Sequence, residues 1–265
     1  MTTTVRSAAG SDIGCRRSGN QDSAYTSPRL LAVADGMGGH AHGEVASSLA
    51  IQVVADADAR LGGVDLHTVD LLETLHAAVD EAARRLTDAA DADPSLRGTG
   101  TTLVAFLLDG TRIGVAHVGD SRAYLLRDGA LTQLTHDHTL VQSLVDEGRI
   151  TPDEAVDHPR RSVLVRTLQE GSPAEPDLFP VDGQLGDRFL VCSDGVTGVL
   201  TDDELADVLL DVAEPADAVE RIIELARNGG GPDNITCVVA DLVEGDPPVT
   251  DGMLFGAAAE SPTVS

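Results

Sequence analysis

The chain has 265 residues, of which 42% are hydrophobic, and its net charge at pH 7 is −26. A surface this acidic repels nucleic acid and anionic lipid, so neither is an expected partner. The sequence offers no apolar signal segment and no apolar run of about 18 residues, and we expect no membrane span in this chain. The three cysteines lack CxxC spacing, which favours reduced thiols and a cytoplasmic protein.

The first part of the chain is predicted to form short strands, one of which is buried. A strand is expected over residues 4–9, and a polar, turn-rich stretch covers residues 11–23. Residues 30–34 are all apolar and predict a strand that is buried on both faces. This strand is expected to end at Asp35, where glycines let the backbone turn.

Helices and hairpins are predicted to follow. Apolar residues at helical spacing predict helices over 43–61 and 66–92. Two hairpins are then expected, with turns at Asp109-Gly110 and Asp128-Gly129. Strands joined by such short turns indicate an antiparallel sheet rather than parallel βαβ winding.

The second half of the chain continues this alternation. Helices are predicted at 139–149, from Thr151, at 201–212 and at 215–228, and strands at 188–192 and 235–242. Residues 158–186 contain four prolines and are expected to be an irregular flap. We therefore predict one α+β domain over residues 1–243, followed by a loose tail over residues 244–265.

Four aspartates recur at strand ends beside glycines, namely Asp35, Asp120, Asp194 and Asp233. Each could simply form a turn at the end of a strand. Together at one end of a sheet pair, however, their carboxylates would repel each other unless a cation neutralised them. Ligands that are all oxygen suit Mg²⁺ or Mn²⁺ better than zinc. The pattern therefore predicts a metal-dependent hydrolytic site.

Eight motifs, in this order, resemble those of the metal-dependent serine/threonine protein phosphatases (PPM, or type 2C), most closely the bacterial branch. They are RSGNQD (Arg17–Asp22), VADGMGGH (Val33–His40), GTTL (Gly100–Leu103), VGDSRAYL (Val118–Leu125), LTHDHTLV (Leu134–Val141), HPRRSVLVRTL (His158–Leu168), CSDGV (Cys192–Val196) and GPDNIT (Gly231–Thr236). The resemblance implies an α-β-β-α sandwich of two antiparallel sheets flanked by helices, with a metal cleft at one end.

The resemblance also implies a metal-ligand set. Asp35 would bridge two Mn²⁺ or Mg²⁺ ions, the Gly36 carbonyl would bind one of them, and Asp194 and Asp233 would bind the other. Two such ions would activate a bridging water and neutralise the phosphoryl oxygens during in-line displacement.

Three further residues receive roles from their motif positions. Arg17 would grip the substrate phosphate with its guanidinium, although its neighbour Arg16 is an alternative. Asp22 would orient the attacking water. Asp120 would recruit a third, weaker metal ion, or would instead form hydrogen bonds within its own turn.

Two positions depart from the pattern of the family. Gln21 stands where many members have Glu, so one carboxylate around the metals is expected to be lost. Met37 stands where eukaryotic members have a His proposed as general acid, which leaves the proton donor unassigned. The histidines at 40, 42, 136 and 138 lack zinc-site spacing, and we expect surface or supporting roles for them.

The predicted function is metal-dependent hydrolysis of phosphoserine and phosphothreonine in proteins by a monomeric enzyme. Its expected partners are phosphorylated proteins, including serine/threonine kinases and their substrates. Two alternatives to this function are also consistent with the sequence. One is a catalytically weak, phosphatase-like module that binds a phosphoprotein regulator, and the other is an acidic cation-binding domain.

Overall fold

The computed structural model describes residues 3–38, 42–172, 174–245 and 251–260. Its strands are β1 (Thr3–Asp12), β2 (Asp22–Thr26), β3 (Leu30–Met37), β4 (Gly100–Thr101), β5 (Leu103–Asp109), β6 (Arg112–Val118), β7 (Arg122–Arg127), β8 (Ala130–Gln133), β9 (Leu168–Gln169), β10 (Asp177–Asp182), β11 (Arg188–Cys192), β12 (Ile235–Glu244) and β13 (Met253–Gly256). Its helices are α1 (Gly43–Arg60), α2 (Leu71–Ala92), α3 (Leu140–Asp146), α4 (Pro152–Val156), α5 (Asp194–Thr197), α6 (Asp202–Asp211), α7 (Pro215–Asn228) and α8 (Ala257–Glu260). Within these ranges, no helix combines the length and the apolar character needed to cross a bilayer.

Two antiparallel sheets pack face to face, which confirms the predicted sandwich. One sheet has the order β1-β12-β11-β7-β8, and the other has the order β10-β6-β5-β3-β2-β13. A short ladder of β4 and β9 extends the second sheet from the end of β3. Apolar side chains from both sheets fill the space between them, and Phe106 meets Phe189 edge to face there, with ring centroids 5.6 Å apart.

The continuous apolar run in β3 is explained by its position between two cores. Leu31 and Val33 belong to the core between the sheets. Leu30, Ala32 and Ala34 belong to a second core formed with α1 and α2 on the outer face. Because side chains alternate along a strand, both faces of β3 are buried, as its sequence predicted. Helices α6 and α7 cover the outer face of the other sheet in the same way.

Local sequence signals predicted the turn at Asp128-Gly129 and the starts of α4, α6 and α7 correctly. Asp128 and Gly129 both have positive φ, of 51° and 80°, as a two-residue hairpin turn requires. Thr151 and Thr201 each begin a helix with a complete capping box, in which the threonine and a glutamate three residues later satisfy each other's backbone donors. Helix α7 covers residues 215–228 as predicted.

Several element boundaries differ from the sequence predictions. Strand β3 continues past Asp35 to Met37 because Gly36 and Met37 pair with β4. Strand β2 lies partly inside the stretch predicted to be turns, and its pairing with β3 outweighs the local polar composition. The helix predicted from residue 66 begins at Leu71, where the Asp70 side chain caps it. The two predicted hairpins lie in different sheets.

The predictions of an irregular 158–186 segment and a loose tail were each wrong in part. Strand β10 lies in the predicted irregular segment and pairs with β6, and as an edge strand it tolerates Pro180. In the tail, β13 pairs with β2, and α8 places Ala258 in the core beside α1, with its backbone N–H bonded to Ser23 Oγ. The ordered sandwich therefore includes residues 251–260, beyond the predicted domain end at residue 243.

Candidate metal centre

Five aspartates from separate parts of the chain converge at one end of the sandwich. Asp22 on β2 and Asp35 on β3 are direct partners in the sheet register. The other three lie beside strand ends, Asp120 after β6, Asp194 after β11 and Asp233 before β12. All four of the others act electrostatically on Asp35. The structure therefore brings together every carboxylate that the sequence singled out.

Glycines allow the backbones around these aspartates to approach closely. A Cβ at Gly36 would lie 2.0 Å from the Gly43 carbonyl oxygen, which leaves no room for any side chain. A Cβ at Gly195 would lie 1.8 Å from the Asn234 carbonyl oxygen. These contacts bring the residue after Asp35 against the start of α1, and the residue after Asp194 against the loop that carries Asp233.

Buried hydroxyl groups hold two of the aspartates, and sequence reasoning missed both. Ser193 is fully buried and donates through Oγ to Asp22 Oδ2 at 2.7 Å. Thr102 Oγ1 accepts a hydrogen bond from the Asp35 backbone N–H at 2.9 Å. Both residues lie inside quoted motifs, CSDGV and GTTL, and this position was the only available signal for them.

Asn234 ties the loop that carries Asp233 to the N-terminal segment. Its side-chain amide donates to the carbonyl oxygens of Ile13 and Gly19, and its side-chain oxygen accepts from the Gln21 backbone N–H at 2.9 Å. The observed role is a bridge that fixes the loop containing Arg17 next to Asp233.

Crowding and burial raise the pKa values of these carboxyl groups. Burial is the largest cause at Asp22, where the pKa rises to about 7 although hydrogen bonds from Ser193 and Thr236 oppose the increase. Burial and then the neighbouring carboxylates raise the pKa of Asp35 well above its ordinary value. Burial and Asp233 raise the pKa of Asp194, against a hydrogen bond with Asp35. The protein alone thus stabilises the neutral form of a set of acids that would otherwise be ionised at pH 7.

Asp120 shares this environment but has a separate cationic neighbour. Burial, Asp194 and Asp137 raise its pKa to about 7, while Arg122 lowers it. Arg122 is held in place by Asp137, with contacts of 3.0 Å from Nε and 2.7 Å from Nη2. Asp120 therefore lies at the edge of the cluster, between Asp194 and an arginine ion pair.

Arg17 lies at the exposed side of the cluster. Its Nη2 donates to Asp233 Oδ2 at 2.6 Å, and its side chain is 47% exposed. This hydrogen bond is the main cause of a raised Arg17 pKa. The sequence placed Arg17 rather than Arg16 in the site, and the structure has Arg17 in contact with an aspartate of the cluster.

The residues present fit divalent cations. The five side chains supply oxygen donors without thiolate or imidazole, which suits Mn²⁺ or Mg²⁺. Their burial raises the proton affinity of several carboxylates, and a cation would neutralise the same charges in place of protons. The donor set and its electrostatics therefore fit divalent cations at this end of the sandwich.

A second group of possible ligands consists of His117, His138 and Asp177. The Nδ1 atom of His138 accepts a hydrogen bond from the Gly119 backbone N–H at 3.1 Å, so its proton must be on Nε2. That Nε2–H donates to Asp177 Oδ2 at 3.0 Å. A protonated Nε2 cannot bind a metal ion, so His138 has a supporting role, as its spacing predicted. His40 lies outside the described residues.

Comparison with known proteins finds similarity to protein phosphatases. The family model described as Protein phosphatase 2C matches residues 15–228. The serine/threonine protein phosphatase PstP of Mycobacterium tuberculosis is 49% identical over 98% of this chain, and the chain spans about half (49%) of that relative's length. The serine/threonine phosphatase stp of Listeria welshimeri is 38% identical over 80% of this chain and 84% of its own length.

A solved structure shares the fold. The catalytic domain of PstP in complex with two manganese ions has a TM-score of 0.84 and 48% identity, and the match covers 92% of this chain and 100% of that chain. The likeness therefore extends over most of this chain and all of that one.

Proposed function

The chain belongs to the protein phosphatase 2C family, and from this premise we propose that it is an enzyme that hydrolyses phosphoserine and phosphothreonine in proteins with divalent metal ions. One observation carries the proposal, namely the convergence of five aspartates beside an exposed arginine. A cation-binding domain without catalysis would not need that arginine. The PstP catalytic domain, with 48% identity, is described with two manganese ions, which supports Mn²⁺ or Mg²⁺ here.

Asp35, Asp194 and Asp233, with the Gly36 carbonyl, would hold two ions, and Asp120 would help to hold a third. When bound, such a pair of ions supplies a nucleophile at neutral pH and neutralises charge on the phosphoryl group. Oxygen ligands in this number leave positions for substrate oxygens, because Mn²⁺ and Mg²⁺ prefer six ligands.

Arg17 binds the substrate phosphate in this proposal. A guanidinium can donate two parallel hydrogen bonds to two phosphate oxygens, and Arg17 is exposed at the edge of the carboxylate cluster. Its contact with Asp233 holds the side chain near the place where phosphate would bind. Phosphate would therefore meet an arginine that is already oriented, which lowers the entropic cost of binding.

Asp22 acts from behind the cluster. Its carboxylate is only 1% exposed, and Ser193 fixes one of its oxygens. This hydrogen bond fixes the orientation of the carboxylate, which in this proposal orients the attacking water. In this proposal Asp22 positions the nucleophile, which is the role that its motif position implies.

The physiological setting is also part of the proposal. We assign phosphorylated proteins as substrates, serine/threonine kinases as opposing partners, and the cytoplasm as location, with the chain acting as a monomer. The three cysteines lack CxxC spacing, and this supports a reducing compartment.

The test is hydrolysis of a phosphothreonine peptide with Mn²⁺ and with EDTA. Activity should require Mn²⁺, and Asp35→Asn should abolish it, whereas Asp207→Asn on the exposed face of α6 removes the same charge and should retain it. Full activity in excess EDTA would contradict the proposal. Tight phosphopeptide binding without turnover in Mn²⁺ would instead indicate the binding module.

A further inference from the structure

A cavity of about 400 Å³ is lined largely by the central part of the predicted flap, residues 162–172 and 174–176, to which the word flap refers below. Its flap lining includes Arg166, Gln169, Ser172 and Glu175. On the other side it is lined by Met37, which directly follows Gly36, and by Val118, which precedes Asp120 by two residues. The cavity therefore adjoins the proposed metal centre, and its volume is within the range of about 300–1,000 Å³ usual for ligand sites.

Backbone pairing fixes the base of the flap to the metal centre. Strand β9 pairs with β4, and β4 pairs with Gly36 and Met37 at the end of β3. The Leu140 N–H bonds to the Val163 carbonyl, and the Val165 N–H bonds to the His138 carbonyl, at 2.8 and 2.9 Å. The cavity walls are thus held on both sides by main-chain hydrogen bonds.

The positive charge in the cavity is already compensated. Arg166 Nη1 donates to Asp177 Oδ1 at 2.8 Å, and the other oxygen of Asp177 accepts from His138. The orientation of His138 is fixed in turn by the Gly119 backbone N–H. Arg166 is therefore one member of a hydrogen-bonded chain that begins beside Asp120, and its charge is balanced by Asp177.

The negative charge in the cavity is not compensated. Glu175 is exposed in the lining, and it has no hydrogen-bond or ion-pair partner among the residues described. With Arg166 balanced by Asp177, the carboxylate of Glu175 determines the net charge that a ligand meets there. A cationic group is the complementary ligand.

We propose that this cavity binds an arginine or lysine side chain of the substrate, close in sequence to the phosphorylated residue, and that Glu175 selects it. The inference rests on the proposed phosphatase function and specifies the substrate class of that same site. An extended peptide advances about 3.3 Å per residue, so a side chain within a few positions of the phosphoresidue can reach a cavity that begins at Met37.

The experiment scans a single arginine through the four positions on each side of phosphothreonine in an otherwise neutral peptide, and compares each peptide with its alanine counterpart. At one or two adjacent positions, the arginine peptide should have a kcat/KM about two- to fivefold above the alanine peptide, as expected for a partly exposed ion pair. Increasing salt should reduce this ratio.

Two variants separate Glu175 from the general acidity of the protein. Glu175→Gln should bring the arginine-to-alanine ratio to about one at that position, and Glu175→Arg should make a glutamate peptide the better substrate there. Glu170→Gln removes the same charge from the same flap outside the cavity lining, and should keep the wild-type ratio.

Three results would overturn the inference: no position that favours arginine, a preference that survives Glu175→Gln, or an equal loss in Glu170→Gln. Hydrolysis of the alanine peptides in Mn²⁺ shows that the phosphatase function itself holds. If no peptide is hydrolysed, the proposed function fails and this inference fails with it.

Discussion

Without bound metal, the protein should become less stable as pH increases, because its buried carboxyl groups bind protons more tightly in the folded state than in the unfolded state. The pKa of Asp22 rises from an ordinary 3.8 to about 7 on folding. Between these two values the folded state keeps a proton that the unfolded state has lost, so the free energy of unfolding falls as pH increases. Stability from this group is present below about pH 4 and is lost as pH passes through about 7.

The size of the effect follows from that difference. A pKa that rises from 3.8 to about 7 corresponds to at most about 4 kcal/mol of lost stability at high pH for Asp22 alone. For a chain of this length, about 1 kcal/mol changes the Tm by roughly 2–4 °C. Asp22 is almost fully buried, so solvent screening reduces this figure little.

The assay is thermal unfolding from about pH 5 to about pH 8, in EDTA and in Mn²⁺. In EDTA the Tm of the wild type should fall as pH increases. The Asp22→Asn variant should show a smaller fall, and its Tm should be higher than that of the wild type near pH 8. In Mn²⁺ the fall should shrink or reverse, because a cation binds the ionised carboxylates.

Net charge alone could also lower stability at high pH, and Asp207→Asn is the control for it. This exposed substitution removes one negative charge and should leave the pH dependence as in wild type. A Tm that is constant or rising in EDTA, or an equal fall in Asp22→Asn and wild type, would refute the reasoning.

Three further substitutions test individual roles. Asp120→Asn should leave two metal ions bound in calorimetry while lowering turnover, and loss of all binding would show that Asp120 belongs to the binuclear core. Arg17→Ala should lower kcat/KM by roughly ten- to several-hundredfold, through loss of charge-assisted hydrogen bonds of about 1.5–3 kcal/mol each, and should tighten Mn²⁺ binding by freeing Asp233. Arg16→Ala should do much less, and equal losses would contradict the assignment. Met37→His should raise the single-turnover rate for alkyl phosphates, whose leaving groups need a proton, more than for aryl phosphates, and an identical response would exclude proton donation from this position.

The sequence predicted the features that depend on interactions between residues close together in the chain. The capping boxes at Thr151 and Thr201 and the turn at Asp128-Gly129 depend on residues within four positions of one another. The convergence of the aspartates could also be predicted, because each lies at the end of an apolar run and a buried cluster of acids requires a cation. These inferences needed no knowledge of which strand pairs with which.

Long-range pairing produced the errors. Strand β13 forms because β2 offers an open edge, and nothing local in the sequence of the tail indicates that edge. Strand β10 contains Pro180, which argued against a strand until its edge position was known. The role of Ser193 likewise depends on Asp22, which is 171 residues away in the chain.

Gln21 stands where many members of the family have Glu, so position 21 supplies an amide in place of a carboxylate. In the structure, the side-chain Nε2 of Gln21 donates to Glu44 Oε2 at 3.1 Å, and the backbone carbonyl oxygen of Gln21 accepts from the Gly36 backbone N–H at 3.1 Å. A glutamate at position 21 would place a second carboxylate beside that of Glu44, and like charges at this distance repel each other. The amide can instead donate to the Glu44 carboxylate, and this hydrogen bond ties the start of α1 to the segment that leads into Asp22.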